Sequence, residues 1–246
     1  LMLSVSEFVV VALIAICSGV VQIAMGFGNG LFAVPLLALI LAPHDAVATA
    51  TLTGAATAIY QAWSERAHRE GAVAYRMLGG AALGVPIGLA FFVRAEPATV
   101  RIVIFSVVIV AALLLLMGFK LRGSSPAFDL VSGMACGAFS TSSGTGGPPL
   151  VFALRARGLS PPAFRATLAF VASFVGPTTV VLFVLVGERL TANVWSAFIV
   201  GLPGLIAGVV IGQWLHSHLN ERRFHRVVIV LLVATAAAIL LSFLET

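Results

Sequence analysis

Residues 22–42 read QIAMGFGNGLFAVPLLALILA, a run in which three glycines within five residues interrupt an otherwise apolar stretch. The apolar segments on either side cover 4–24 and 31–42. The second is too short to cross a bilayer, since a helical span takes about 20 residues. Backbone that leaves a helix at membrane depth must be hydrogen-bonded by protein or by water in a cavity. The stretch therefore predicts a helical hairpin with a broken tip at 26–30, inside a membrane protein.

The composition of the whole chain agrees with this prediction. Of its 246 residues, 60% are hydrophobic and 9% are charged, whereas a soluble domain has about 25% charged residues. A chain of this length cannot hide so much apolar surface from water, so we expect the lipid bilayer to surround it. The fold class is an all-α integral membrane protein.

A second Gly-rich break follows at residues 140–149, which read STSSGTGGPP. The segments next to the breaks, 31–42, 127–139 and 148–154, are the three that are too short to span. We predict half-membrane helices at these places. The complete set of apolar segments is 4–24, 31–42, 46–63, 72–93, 98–119, 127–139, 148–154, 163–186, 191–215 and 224–244.

The two halves of the chain align at a constant offset of 116 residues. Gly28 and Gly30 fall on Gly144 and Gly146, and Ala50-Thr51-Leu52 falls on Ala166-Thr167-Leu168. The ordered series predicts two transmembrane repeats, 1–122 and 123–246, within one compact membrane domain. Each repeat would be a Gly-broken hairpin followed by three transmembrane helices.

The distribution of Lys and Arg among the short loops predicts the orientation of the spans. Loops that this rule places in the cytoplasm carry Arg66, Arg69, Arg76, Lys120, Arg122, Arg155, Arg157, Arg165, Arg222, Arg223 and Arg226. Three crossings then follow each hairpin, so the second repeat would be inverted relative to the first, which is a recurring transporter plan. If 4–24 crosses alone, each half has four crossings and the repeats are parallel.

The breaks predict an anion site. The first turn of a helix presents N–H groups without partners and about half a positive charge, and glycine lets a ligand approach the backbone. Two such termini meeting at the midplane would suit a small oxyanion. None of the nine acidic residues lies in the middle of a span, which disfavours a cation as cargo.

Candidate binding residues are those at the breaks and the hydroxyl-bearing residues near them. The stripe Thr49, Thr53, Thr57 and Gln61 could equally hold helices together. The candidates are Gln22, Gly26, Phe27, Gly28, Asn29, Gly30, Thr53, Thr57, Ser142, Ser143, Gly144, Thr145, Gly146, Gly147, Pro148 and Ser173.

We expect no metal, no cofactor and no nucleic-acid partner. His216, His218 and His225 lie near one another in the chain but have only Glu221 as an acidic neighbour. The basic residues lie at span ends, where they set orientation. The spans also lack a convincing nucleophile–base pair, so we do not expect an enzyme.

At the breaks the sequence resembles the TauE/SafE sulfite-exporter family. The resemblance rests on Gly26-Phe27-Gly28-Asn29-Gly30 with Pro35, on Gly144-Thr145-Gly146-Gly147-Pro148-Pro149-Leu150, and on the Thr-Leu pairs at 51–52 and 167–168. It implies a multi-pass transporter of the bacterial inner membrane that moves sulfite, organosulfonates or related anions, often outward. The family's Gly-rich segments correspond to Gly28, Gly30, Gly144 and Gly146. Two departures are Leu31, where the family usually has a further Gly, and Val151, which stands opposite Pro35.

The hypothesis is a secondary transporter for a small sulfur oxyanion bound between the two breaks. N–H groups near Asn29, Gly30, Thr145 and Gly146 would hold the anion, and nearby hydroxyls would fix its orientation. The alternative is a passive anion channel that uses the same helix dipoles. Coupling to protons and assembly into a homo-oligomer stay open at this point.

Overall fold

The computed structural model describes residues 5–116, 125–186 and 190–218, and all regular structure within them is helical. The predicted segment 224–244 lies outside the described residues. Besides a 3-10 turn at Arg66–His68, the helices are α1 (Val5–Met25), α2 (Asn29–Leu37), α3 (Pro43–Ser64), α4 (Gly71–Arg94), α5 (Pro97–Leu116), α6 (Pro126–Ser143), α7 (Gly147–Ala156), α8 (Pro161–Leu185) and α9 (Ala192–His218).

Five of these helices contain stretches that are long and apolar enough to cross a membrane. The stretches are Glu7–Met25, Gly71–Arg94, Pro97–Leu114, Pro161–Leu185 and Ala192–Leu215. By contrast, α2 and α7 have 9 and 10 residues. At 1.5 Å per residue they are about 14 and 15 Å long, which is half of a hydrocarbon core of about 30 Å. Each of the two short helices directly follows a break.

The predicted end of α6 was wrong. The apolar pattern stops at Phe139, but the helix continues to Ser143. Within the extension Thr141 donates to the carbonyl of Gly137 at 2.7 Å, and Ser143 donates to that of Phe139 at 3.0 Å. Because these bonds to the preceding turn satisfy the hydroxyl groups, the polar composition of this stretch does not require a loop. The second break is therefore 144–146, and the first is 26–28.

Close packing of backbones joins α4 to α6. Side chains at Gly80, Gly84 or Gly88 of α4 would collide with the α6 backbone, and one at Gly133 would collide with α4 at Met77. Small residues at such positions let membrane helices approach each other. Gly79, next to Gly80 in the chain, is instead exposed, and a Cβ built on it would meet only Leu130 Cδ1, at 4.0 Å.

The same arrangement joins α1 to α9. Gly204 lies against Ala12, Gly208 against Ile16, and Gly212 against Val20 and Ile23. The numbers rise together on both helices, so α1 and α9 run parallel, as α4 and α6 do. Adding 116 to the residue numbers of α1 gives those of α6, and adding 116 to those of α4 gives numbers close to those of α9. The α1–α9 pair therefore corresponds to the α4–α6 pair. The duplication and its inverted sense stay predictions.

Helices α3 and α8 pack antiparallel. Ala55 lies 3.0 Å from the position where a Cβ of Gly176 would stand, and Glu65 forms an ion pair with Arg165. At the opposite end Thr191, just before α9, donates to Asp45 at 3.1 Å. The two helices that follow the hairpins therefore run in opposite directions side by side.

A buried carboxylate fixes the second hairpin to α4. Asp129 is fully buried and accepts from Arg157 Nε and Nη2 at 2.7 Å each, and from Arg76 Nε at 2.8 Å. These bonds join α4, α6 and the end of α7. Bidentate charged bonds of this kind are short and strong.

Candidate functional site

The tips of the two hairpins touch each other. Gly30, in the first turn of α2, lies directly against the carbonyl oxygen of Gly144 and near the Cα of Thr145. A Cβ on Gly147 would stand 3.4 Å from the Cβ of Phe27. The breaks, which are 116 residues apart in sequence, thus form one structure.

Each break contains a glycine in a left-handed conformation at the matching position. The φ angle is 114° at Gly28 and 68° at Gly144, a region that other residues rarely adopt. At the second break this conformation ends α6, because Gly144 N–H donates to Ser140 O at 3.1 Å and Thr145 N–H donates to Phe139 O at 3.2 Å. This is the usual way in which a glycine closes a helix C-terminus.

A cavity of about 90 Å³ lies between the breaks and helices α3, α6 and α8. One water molecule needs roughly 10–15 Å³ measured in this way, so the space suits a small ion with a few waters. Its lining is Gln22, Phe27, Gly28, Asn29, Gly30, Leu31, Ala50, Thr51, Gly54, Ala55, Cys136, Ser140, Gly144, Thr145, Gly146, Gly147, Leu150, Leu168, Ala172, Val175 and Gly176.

None of these lining residues carries a charge. Two helices, α2 and α7, begin at the cavity, and each contributes about half a positive charge from its N-terminus. Together they supply roughly one unit of positive potential. This electrostatic setting favours one negative charge.

The N–H groups available to a ligand differ from those that the sequence suggested. Prediction placed them near Asn29, Gly30, Thr145 and Gly146. The Asn29 N–H donates instead to Gln22 Oε1 at 3.2 Å, and the Thr145 N–H caps α6. An N–H group in the first turn of a helix has no acceptor within that helix. Such N–H groups belong to Gly30 and Leu31 on α2 and to Gly146 and Gly147 on α7.

The first turns of α2 and α7 are not equivalent. Pro148 and Pro149 occupy the second and third positions of α7, and proline has no N–H group. At the same positions α2 has Gly30 and Leu31. The prolines suit the helix start but leave α7 with fewer donors.

Asn29 is held rigidly at the start of α2. Its side-chain Nδ2 donates to Ala50 O at 2.8 Å and to Thr53 Oγ1 at 3.3 Å, both on α3. Asn29 is 3% exposed, and its Oδ1 has no hydrogen-bond partner among the described residues. Buried polar atoms of this kind are rare in native proteins and usually have a reason.

The cavity brings together nine of the predicted site residues. They are Gln22, Phe27, Gly28, Asn29, Gly30, Gly144, Thr145, Gly146 and Gly147. The other seven do not line the cavity. They are Gly26, Thr53, Thr57, Ser142, Ser143, Pro148 and Ser173.

Most of those seven residues use their hydroxyl groups in hydrogen bonds with the protein itself. Thr57 donates to Thr53 O at 3.0 Å, and Ser173 donates to Phe170 O at 2.8 Å. The hydroxyl of Ser143 is 2.7 Å from that of Thr145. The Thr stripe thus bonds mainly to its own helix. Pro148 lies on the side of α7 that faces α5.

Several lining residues were not predicted. Thr51, Gly54 and Ala55 present one face of α3, and Ala172 and Gly176 present the matching face of α8. Their signals in the sequence are the spacing of small residues by three or four and, for Thr51, the Thr-Leu pair at 51–52. Cys136 and Ser140 lie one turn apart on α6, with Sγ and Oγ 3.9 Å apart.

The family model of the sulfite exporter TauE/SafE matches residues 11–239, which is nearly the whole chain. The chain belongs to the TauE/SafE family. The resemblance seen at the breaks is thereby confirmed, and the family implies a membrane exporter of sulfite or related sulfur compounds. In this TauE/SafE chain the motif glycines lie where the two hairpins meet.

The family and the apolar helices together make the chain a multi-pass membrane protein. No curated protein and no solved structure matches this TauE/SafE chain.

Proposed function

We propose that the chain is a secondary transporter that exports a small sulfur oxyanion, such as sulfite or an organosulfonate, bound in the cavity between the two breaks. One observation carries the proposal: two broken hairpins meet around a small cavity whose lining has no charged side chain and has backbone N–H groups from both helix starts. A helix N-terminus is a natural anion site. Family membership supports the sulfur chemistry of the cargo.

The direction of the helices supports an alternating-access mechanism. If the two halves are inverted repeats, the helices after the hairpins should cross the membrane in opposite senses. Such a pair is found in α3 and α8, which pack antiparallel next to the cavity. Movement of the hairpins against the remaining spans would then expose the anion first to one side and then to the other.

We further propose that the protein lies in the bacterial inner membrane, acts without a cofactor and is not an enzyme. Arg66, Arg69, Arg76, Arg157 and Arg165 lie at one end of the bundle, near the end of α3 and the start of α4. The excess of arginine makes this end the cytoplasmic one. We also propose that the protein forms a homo-oligomer. The mass of the detergent-solubilised protein tests this proposal.

The test is counterflow of radiolabelled sulfite in proteoliposomes that contain the purified protein. A transporter accumulates label transiently against unlabelled sulfite inside, and its rate saturates with concentration. In Gly146→Ala the new methyl group would lie against Ser140 Oγ and 2.6 Å from Cys136 O, at the edge of the cavity. We expect this variant to lose counterflow.

Gly79→Ala is the matched control, because Gly79 is exposed and the added methyl group would meet only Leu130 Cδ1, at 4.0 Å. Flux that does not saturate and shows no counterflow would favour the channel instead. Equal counterflow in Gly146→Ala and Gly79→Ala, both well folded, would rule out the cavity as the binding site.

A further inference from the structure

The side chain of Arg69 lies against two aromatic rings, just before the start of α4. Its guanidinium carbon is 4.1 Å from the centre of the Phe170 ring on α8 and 5.6 Å from that of the Tyr75 ring on α4. The two rings are in edge contact, with their centres 5.5 Å apart. A guanidinium within about 6 Å of an aromatic ring is attracted to its face. The positive charge of Arg69 is therefore held in a defined place where α4 packs against α8.

The backbone next to Arg69 is fixed as well. The Glu70 N–H donates to the hydroxyl of Thr167 at 3.0 Å, and Thr167 is fully buried on α8. Thr167 begins the second Thr-Leu pair of the sequence but does not line the cavity between the breaks. Phe170 stands three residues further along α8, which is about one turn. The same turn of α8 thus holds both the backbone and the guanidinium of this loop.

The guanidinium of Arg69 has no partner for its charge among the described residues. At the same end of the bundle, Arg76, Arg157 and Arg165 each bind a carboxylate. Arg69 forms no such ion pair within the described part of the chain, although the exposed Glu70 is next to it in sequence. Arg69 is half-buried, and none of its nitrogen atoms is both enclosed and without a partner. Its N–H groups are therefore available to a ligand that approaches from outside.

The outer surface at this place is aromatic and faces lipid. The Phe170 ring is followed by that of Phe174, and the two ring centres are 5.0 Å apart. Tyr75 and Phe174 are 59% and 48% exposed, and they lie on helices long and apolar enough to cross the membrane. We name the surface formed by Arg69, Tyr75, Phe170 and Phe174 the α4–α8 seam. It offers an apolar face to acyl chains and one cation, at its end, to a head group.

We propose that the α4–α8 seam binds an anionic phospholipid whose phosphate lies on Arg69. The phosphate oxygens accept from the guanidinium, whose planar fork suits phosphate while its face packs on the rings. The acyl chains lie along Phe170 and Phe174. Basic sites between spans at the cytoplasmic end are suited to anionic head groups. This inference goes beyond the proposed function and depends neither on the cargo nor on the cavity between the breaks.

The first experiment measures the affinity of the purified full-length protein for three probes in a neutral detergent. The probes are phosphatidylglycerol, phosphatidylcholine with the same acyl chains, and glycerol 3-phosphate. The affinity follows from the rise in melting temperature with ligand concentration. We expect phosphatidylglycerol to bind at least about tenfold more tightly than either of the others. Phosphatidylcholine carries a cation beside its phosphate, and glycerol 3-phosphate has no chains to place on the rings.

Two outcomes of this experiment would overturn the inference. Equal affinity for phosphatidylcholine would mean that the seam takes up lipid without recognising its charge. Equal affinity for glycerol 3-phosphate would mean that Arg69 serves a soluble anion instead of a lipid.

Arg69→Gln tests the assignment of the cation, and we expect it to lower the affinity for phosphatidylglycerol about tenfold. Arg66→Gln is the matched control, because it makes the same change of charge three residues earlier. The Arg66 guanidinium is exposed, donates to Trp63 O at 3.1 Å and lies 5.3 Å from the Trp63 ring. We expect this control to change the affinity about twofold at most, as is usual for an exposed charge.

Arg69→Lys is a second variant, which keeps the charge if Arg69→Gln does not fold. An ammonium group lacks the planar fork, so this variant should bind phosphatidylglycerol about threefold more weakly than the wild type. Unchanged affinity in the folded Arg69 variants would overturn the inference, because the lipid would then bind elsewhere. Equal losses in Arg69→Gln and Arg66→Gln would also overturn it, because the lipid would then respond only to the overall charge of this end. Sulfite counterflow tests the proposed function separately, so either proposal can fail while the other stands.

Discussion

Gly30 and Gly144 lie so close together that a side chain on the first could not coexist with the carbonyl oxygen of the second. Gly30 lies in the first turn of α2, and Gly144 directly follows the last residue of α6. Through this contact the broken tips of the two hairpins touch and together form the candidate site.

Gly30→Ala should therefore separate the breaks. The added methyl group overlaps backbone atoms of Gly144, which cannot rotate away as a side chain can. We expect a loss of about 1–3 kcal/mol in the free energy of unfolding, typical of overpacking, and a loss of anion binding. Chemical unfolding in detergent and calorimetry measure the two effects. Gly71→Ala, with no atom within 4 Å, is the control, and an equal loss there would contradict this interpretation.

Alanine substitutions at the adjacent glycines Gly79 and Gly80 of α4 should affect the stability of the protein differently. Gly80→Ala places a methyl group against Leu130 O and pushes α6 away, at a cost of about 1–3 kcal/mol. Gly79→Ala meets open space, and alanine favours a helix over glycine by about 1 kcal/mol. The melting temperature should fall in the first variant and stay or rise in the second. Equal melting temperatures would mean that α4 and α6 do not pack through their backbones.

The ion pair between Glu65 and Arg165 should couple α3 to α8. Both side chains are largely buried, with 19% and 11% exposed. A double-mutant cycle with Glu65→Gln and Arg165→Gln should give a coupling energy of about 1–2 kcal/mol in unfolding experiments. A second double-mutant cycle is the control, in which Glu70→Gln is combined with Arg165→Gln. Glu70 is an exposed acidic residue near Glu65, and this cycle should show no coupling. A coupling near zero for Glu65 would mean that the pair adds nothing to the α3–α8 contact.

Asp129→Asn should be the most damaging of the charge substitutions. It leaves Arg76 and Arg157 side by side without their shared carboxylate, and breaking a buried pair costs about 3–5 kcal/mol. We expect a lower unfolding free energy and easier proteolysis at the end of α7. Glu96→Gln, on an exposed acid at the other end of α4, should change neither measurement. A fully stable Asp129→Asn protein would contradict the role given to this cluster.

Much of the site could be predicted because glycine and hydropathy leave clear traces in a membrane sequence. A spanning helix needs about 20 apolar residues, so a short segment beside several glycines predicts a break. The same signs located Gly28 and Gly144, whose positive φ angles follow from the lack of a side chain. Nine of the predicted residues line the cavity for this reason.

The rest depends on groups whose partner cannot be read from the sequence. Residues 140–143 look like a loop by composition, yet they are helical, and the hydroxyls of Thr141 and Ser143 donate to carbonyls of their own helix. Thr145 looks like an anion ligand, yet its N–H closes α6. The fixed amide of Asn29 and the opposite face of α8 become visible only once α2, α3 and α8 are in contact.

The cluster around Asp129 makes the two hairpins mechanically unequal. In the first half, the positions that correspond to Asp129 and Arg157 are Leu13 and Leu41. Sliding the first hairpin breaks the uncharged hydrogen bonds of Asn29 to α3. Its apolar contacts can be replaced by lipid tails at little cost. Moving the second hairpin requires breaking charged bonds to α4. The two predicted repeats therefore differ in the bonds that hold their hairpins, and we expect the two end states of the proposed transport cycle to differ in energy.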